Sequence, residues 1–229
     1  RYYFDPRVYN SNYGLNIPLP DYFAVNSKTT KTAFIDAGYQ THKIKEVEAL
    51  RYLYIRNNRQ LNSNTKTSKN SILILGDYLR RNTDILMGLV DEAEELINRK
   101  NNFIVKPHPA CPIDSDDYPK LDLFVTNNEI QSLLDQCVFA ISNFATSAAI
   151  DCYCVGTPVV TVLDPESLNL SPLRGNKDVI FVSSAEELSR VLNNSDKIKI
   201  SNDQHKDYFY SDPKLLKWKE LLLSGNNQV

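Results

Sequence analysis

Short unbroken apolar runs alternate with longer stretches whose apolar positions recur at helical spacing over much of this chain. The runs Ser71–Leu75, Phe103–Lys106, Leu121–Val125, Val138–Ile141, Pro158–Leu163 and Val179–Val182 predict strands. The intervening segments, from about Asn82 to Lys100, Glu129–Cys137, Ala145–Val155 and Ala185–Asn193, predict helices. A strand that is apolar at every position has no face to spare for water. The pattern therefore predicts a parallel sheet covered by helices on both sides, a doubly wound α/β fold.

Ahead of this block lies a smaller unit. Tyr22–Asn26 predicts a strand, Lys28–Ala37 a helix opened by Ser27 and stopped by Gly38, and Lys43–Ala49 a second strand. From Arg56 to Asn70 periodicity disappears into Asn, Ser, Thr, Lys and Arg, the composition of a solvated linker, and a domain boundary is expected there. The expected division is 1–60 for the end of one lobe and the linker start, 61–70 for the linker, 71–195 for the main lobe, and 196–229 for a C-terminal tail and helix packing across the lobes. In that tail an aromatic turn, Asp207–Pro213, precedes an amphipathic helix over Lys214–Leu223, whose buried side is expected to hold Trp218, Leu215, Leu221 and Leu222. The opening Arg1-Tyr2-Tyr3-Phe4-Asp5-Pro6 reads like mid-protein sequence, so the chain is expected to be a piece lacking its N-terminal part.

Composition narrows the class. The chain has 229 residues, 42% of them hydrophobic, enough for a substantial core, and a formal net charge of −2 that gives no field for a nucleic-acid partner. The apolar runs are strand-sized, far below the roughly 20 residues of a membrane span. Four cysteines, at 111, 137, 152 and 154, are too few and too irregular for a disulfide framework and suit a reducing, cytoplasmic setting. Cys152 and Cys154 stand two apart on a predicted helix, point away from each other, and are expected to be buried as small apolar residues. The three histidines, at 42, 108 and 205, are widely scattered, so no metal site is expected.

In a doubly wound sheet ligands gather at the carboxyl ends of the strands, and the chemistry-bearing residues fall there. Lys106-Pro107-His108-Pro109 follows a strand, and the two prolines stiffen the backbone that presents the imidazole, a donor for a phosphate oxygen. The competing reading of His108 is a loop histidine bonded to a nearby carbonyl, and Lys106 could instead snorkel to water. Ser142, Asn143, Thr146 and Ser147 flank the start of a predicted helix, where hydroxyls and unpaired N–H groups can meet an anion or simply cap the helix. Asp151 shares the helical face of Ser147 and is a ribose ligand or a solvated acid. Asp77, at the exit of the Ser71–Leu75 strand, is a weak candidate for a catalytic base. Arg174, in the loop 168–175, could clamp phosphate or carboxylate. No dinucleotide Gly-x-Gly-x-x-Gly, P-loop, nucleophile elbow or His-Glu-x-x-His is present.

Lys106-Pro107-His108-Pro109, Ser142-x-x-x-Thr146-Ser147 and Gly156-Thr157-Pro158-Val159-Val160 resemble the HP and S motifs of bacterial surface-polysaccharide glycosyltransferases with the GT-B fold, a group that includes sialyl-, Kdo- and nonulosonate transferases. The same pair of motifs recurs in teichoic-acid glycerophosphotransferases. Val47–Leu53 and Leu168–Gly175 resemble a surface-carbohydrate subfamily working on eight- and nine-carbon acidic sugars. The resemblance covers about Asp21 to Leu222. It implies a Rossmann-like C-terminal nucleotide-binding lobe of a GT-B fold plus the end of an N-terminal acceptor lobe. It further implies a donor, commonly CMP-linked, whose phosphate and ribose meet His108, Ser142, Thr146 and Ser147; the reading of the residues themselves adds Lys106, Pro109, Asn143, Asp151 and Arg174 to the expected donor-binding set. No tightly bound cofactor is implied. The partners would be the nucleotide-sugar donor and a glycan or glycolipid acceptor, with peripheral association at membrane-bound polysaccharide assembly machinery on the inner face of the cytoplasmic membrane. Two other readings stay open: a CDP-glycerol-type polyol-phosphate transferase or UDP-sugar epimerase, and a non-catalytic nucleotide-binding or scaffold module. The resemblance places the catalytic carboxylate in the acceptor lobe, of which the sequence shows only Tyr2–Tyr54.

Overall fold

The computed structural model describes residues 20–54, 69–97, 100–200, 205 and 208–224. Most of the expected linker, and parts of the expected N-terminal remnant and C-terminal tail, lie outside the described residues. The described residues form two compact units, one containing 20–54 with 208–224 and the other containing 69–200 with His205.

In the first unit β1 (Phe23–Val25), α1 (Lys28–Asp36) and β2 (Ile44–Glu46) make a βαβ turn whose two strands pair in parallel. The predicted signals act at both ends of α1. The Ser27 hydroxyl accepts from Thr30 N–H at 3.0 Å, and Gly38 takes φ +90° just past the helix. Phe23, Phe34 and Tyr39 pack as an aromatic trio. β2 is shorter than predicted because its partner β1 ends at Val25; Ala49 N–H donates to Tyr210 O at 2.7 Å, and a 3-10 segment follows over Leu50–Tyr52. Helix α6 (Leu216–Ser224) begins on a buried acid: the Glu48 carboxylate accepts from the backbone N–H of Lys217 at 2.9 Å and of Trp218 at 3.1 Å. The Trp218 indole N–H donates to Glu48 O at 2.8 Å, so one residue supports both the helix start and its aromatic anchor.

The second unit holds a six-stranded, wholly parallel sheet: β3 (Ser71–Leu75), β4 (Asn102–Lys106), β5 (Asp122–Val125), β6 (Cys137–Asn143), β7 (Val159–Val162) and β8 (Ile180–Val182). Their spatial order is β5-β4-β3-β6-β7-β8. Counted within this unit that is 3-2-1-4-5-6, the order of a Rossmann-like sheet, and it places a topological switch between β3 and β6.

Alternation along the strands explains the layering. Ile72, Ile74, Phe103, Val105, Phe139, Ile141, Val160 and Val162 face one core with α2 (Arg80–Glu95) and α5 (Ala185–Asn193), which contribute Leu86, Met87, Val90, Leu188 and Leu192. The residues between them turn to the other face, where α3 (Ile130–Leu134) and α4 (Ala148–Cys154) lie. Every residue of α4 from Ala149 to Cys154 is buried, so this helix is covered all round. All four cysteines are free and buried; burial pushes the Cys137 thiol up to about 11 and raises Cys152 as well, which leaves both as packing groups.

Candidate functional site

The carboxyl ends of β3 and β6 meet at the switch, and the residues that fasten them are polar and buried. Asp77, two residues beyond β3, is 3% exposed and accepts three hydrogen bonds through its side chain. Oδ1 takes Leu79 N–H at 2.9 Å and Asn82 Nδ2 at 3.2 Å; Oδ2 takes the Thr146 hydroxyl at 3.1 Å. The Asp77 backbone is gripped as well, because the Thr83 hydroxyl accepts from its N–H and donates to its C=O, both at 3.2 Å. A carboxylate so occupied positions its neighbours rather than collecting a substrate proton, and the catalytic-base reading of Asp77 is withdrawn on that ground.

Across the switch, Asn143 ends β6 and its Oδ1 accepts from the backbone N–H of Ala145 at 2.7 Å and of Thr146 at 3.0 Å. This side-chain turn delays the helix, so α4 begins at Ala148 and not at the predicted Ala145. The Asn143 Nδ2 is buried and has no hydrogen-bond partner among the described residues. Ser147 stands at the cap position without using its side chain to cap, and is exposed. Ser142 lies inside β6, fully buried, its hydroxyl 3.5 Å from that of Thr161 on β7. That placement removes Ser142 from the ligand-contacting set.

His108 sits past β4 in a tight turn closed by Cys111 N–H donating to His108 O at 2.8 Å. Its ring is exposed, and Nδ1 accepts from Ala110 N–H at 3.1 Å. With Nδ1 serving as acceptor, the neutral imidazole carries its proton on Nε2, facing away from that turn and available to donate. Pro107 is buried and Pro109 exposed. The exit loops of β3 and β4 run in close contact. Gly76 N–H donates to Lys106 O at 3.0 Å, and a Cβ on Gly76 would stand 3.1 Å from His108 N and from Pro107 Cα.

Of the remaining candidates, Lys106 donates to Asn127 O at 3.3 Å, reaching along the loop after β5. Asp151 is buried in α4, not solvated. Arg174 donates through Nη1 to Asn169 O at 2.8 Å within its own loop. Sequence reading missed Arg81. From the first turn of α2 its Nη1 donates at 2.6 Å to Oδ2 of Asp164, a buried acid just beyond β7, and Nη2 lies 3.4 Å from Glu166. The Ser167 hydroxyl, the Glu166 N–H and Arg81 hold the Asp164 carboxyl below its ordinary range. Arg80 similarly donates to Pro112 O at 3.2 Å. Adjacent arginines thus tie α2 to the loops after β4 and β7, a pairing visible only once residues 83 apart are brought together.

This is a Rossmann-like α/β chain with a GT-B-type fold, carrying an exposed, proton-bearing imidazole on the strand-exit rim of its larger unit. Among solved structures it is similar to the UDP-GlcNAc 2-epimerase of Methanocaldococcus jannaschii, determined with UDP-GlcNAc and UDP, at a TM-score of 0.60 and 10% identity over 90% of this chain and 61% of that one. Similarity also extends to the wall teichoic acid polymerase TagF, at 0.47 and 14% over 90% and 58%, and to MurG of Acinetobacter baumannii, at 0.49 and 12% over 75% and 53%. The chain therefore spans about six tenths of the length of the first two. No protein-family description matches the sequence, and no curated protein does.

Proposed function

We propose that this chain is the donor-binding part of a glycosyltransferase that moves a sugar from a nucleotide onto a bacterial surface glycan, in a cytoplasmic setting. The observation that supports the reading is the exposed His108 ring, whose turn fixes Nε2–H as a free donor at the carboxyl rim of a sheet with a switch between β3 and β6. In such a transfer the bond between the anomeric carbon and the phosphate oxygen breaks while the oxygen of an acceptor hydroxyl forms the new one, its proton passing to water or to a base of the acceptor side. Negative charge grows on the departing phosphate, and a donor held in advance at that oxygen lowers the barrier. His108 takes that role, with Ser147 and Lys106 as further polar groups of the rim. Asp77, Asn143 and Thr146 set the shape of the turn between them.

The motif resemblance favours a CMP-activated Kdo or nonulosonic acid as donor. A second reading, a UDP-sugar enzyme of epimerase type, draws on the likeness at a TM-score of 0.60 to a protein determined with UDP-GlcNAc and UDP. A CDP-glycerol-type polyol-phosphate transferase is the third donor class. Thermal unfolding with CMP, CDP and UDP in turn separates them: the nucleotide of the true donor raises Tm and His108→Ala removes the rise. If none of the three moves the melting curve of the wild-type chain, the donor-site reading fails.

A further inference from the structure

We infer that Tyr78 is a stacking platform for the nucleobase of the donor, a binding contact beside the His108 donor; this rests on the reading of the rim as a nucleotide site. Tyr78 follows Asp77 in the loop from β3 to α2, and the residue is 53% exposed. An exposed tyrosine alone says little. Three features distinguish this one. Its backbone is pinned on both sides, since Asp77 is locked by Thr83 and by the hydrogen bonds of its carboxylate, and Leu79 N–H is one of the donors to that carboxylate. Its ring lies against His108, centroids 6.1 Å apart and planes at 63°, an edge-to-face contact that fixes the ring's tilt and leaves much of its surface open. The loops that carry the two rings are tied by the hydrogen bond from Gly76 N–H to Lys106 O and kept from closer approach by the tight packing of Gly76 on the His108 and Pro107 backbone.

The chemistry selects the occupant. The face of an aromatic ring carries partial negative charge and does not hold phosphate, which belongs to the imidazole N–H. A flat, neutral, polarisable group joined to that phosphate through a ribose matches an open aromatic face, and base-on-aromatic stacking tolerates either cytosine or uracil. Leu79, the next residue, is 45% exposed as well. Folding gains nothing from leaving the Tyr78 ring in water, whereas a base laid over it would cover it.

The test is isothermal titration of the full chain with the nucleotide that raises Tm most, and separately with inorganic pyrophosphate, using wild type, Tyr78→Ala, Tyr78→Phe and His108→Ala. Stacking predicts that Tyr78→Ala weakens nucleotide binding by roughly tenfold, that Tyr78→Phe stays within about twofold of wild type, and that pyrophosphate binding is unchanged in both. His108→Ala weakens both ligands. If Tyr78→Ala binds the nucleotide as wild type does while His108→Ala does not, the platform is refuted and the donor site survives. Equal weakening of pyrophosphate by Tyr78→Ala also refutes it, by showing that the ring acts only through the His108 turn. Absence of nucleotide binding by the wild-type chain overturns the donor site and this inference together.

Discussion

Replacing Asp77 tests whether the two sides of the switch are held together by one buried carboxylate. In Asp77→Ala, Asn82 Nδ2, on a residue 5% exposed, loses its acceptor, at a cost of about 1–3 kcal/mol. Leu79 N–H is nearer the surface and recovers part of its loss through water, for roughly 1 kcal/mol more. The Thr146 hydroxyl has an alternative acceptor, Asn143 Oδ1 at 3.1 Å, and contributes little. The sum is about 2–4 kcal/mol, a large share of the 5–15 kcal/mol typical of a domain. Asp77→Asn should behave differently. Its Oδ1 keeps both N–H donors, and its Nδ2 can donate to the Thr146 hydroxyl, which then turns its own proton to Asn143. The remaining loss is that of a charge-assisted bond, roughly 1 kcal/mol. Urea unfolding followed by circular dichroism should therefore move the midpoint by about 1–2 M for the alanine variant and by less than half of that for the asparagine variant. Hydrogen exchange should locate the loss in the segments ending β3 and β6. Equal midpoints for the two variants, or an alanine midpoint matching wild type, would refute the clamp.

Glu46 supplies a pH test in the smaller unit. Hydrogen bonds from Lys31 at 2.9 Å, Tyr210 at 2.7 Å and Lys217 at 3.0 Å hold its carboxyl at about 2, against an ordinary value of 4.5. Because the folded value is the lower one, the stabilisation is complete above about 4.5 and disappears as pH falls toward 2. The full difference would be worth roughly 3 kcal/mol, reduced to about 1–2 by solvent around these partly exposed side chains. Glu46→Gln should lose that amount at pH 7 and flatten the acid limb, read from Trp218 fluorescence; an unchanged limb would refute the assignment. Gly76→Ala should destabilise by about 1–3 kcal/mol, since a Cβ 3.1 Å from two backbone atoms meets nothing that can swing away. It should also weaken nucleotide binding by displacing His108, and full retention of both properties would show that the loops yield.

The fold was readable because its strands are apolar on both faces. Ser71–Leu75 is a strand at the predicted residues, and each of the other five predicted strands of the larger unit overlaps an observed one. Helix starts were harder to read. The predicted start of α4 at Ala145 came three residues early because Asn143 imitates a cap with its side chain, and α2 starts at Arg80 on a capping Leu79, with no Ser, Thr, Asp or Asn at that position to announce it.

The candidate site was legible where a motif is local and opaque where it depends on distance. His108 between two prolines could be read as a presented ring because everything that presents it lies within a few residues. Asp77 looked isolated, since its partner Thr146 is 69 residues away. Ser142 shows a finer failure: grouped by motif with Thr146 and Ser147, it shares instead the two-residue period of Ala140 and points into the layer beneath α4, where Thr161 meets it. Of these three hydroxyls, strand parity seals that of Ser142 in the sheet, the turn after β6 spends that of Thr146 on Asp77, and that of Ser147 is exposed to solvent. Of the three, only Ser147 has an exposed side chain free of a capping bond, so among these hydroxyls it alone should join His108 in binding phosphate. Ser147→Ala should weaken binding of the donor nucleotide while Ser142→Ala leaves it unchanged, and the reverse order would put the ligand on the other side of β6.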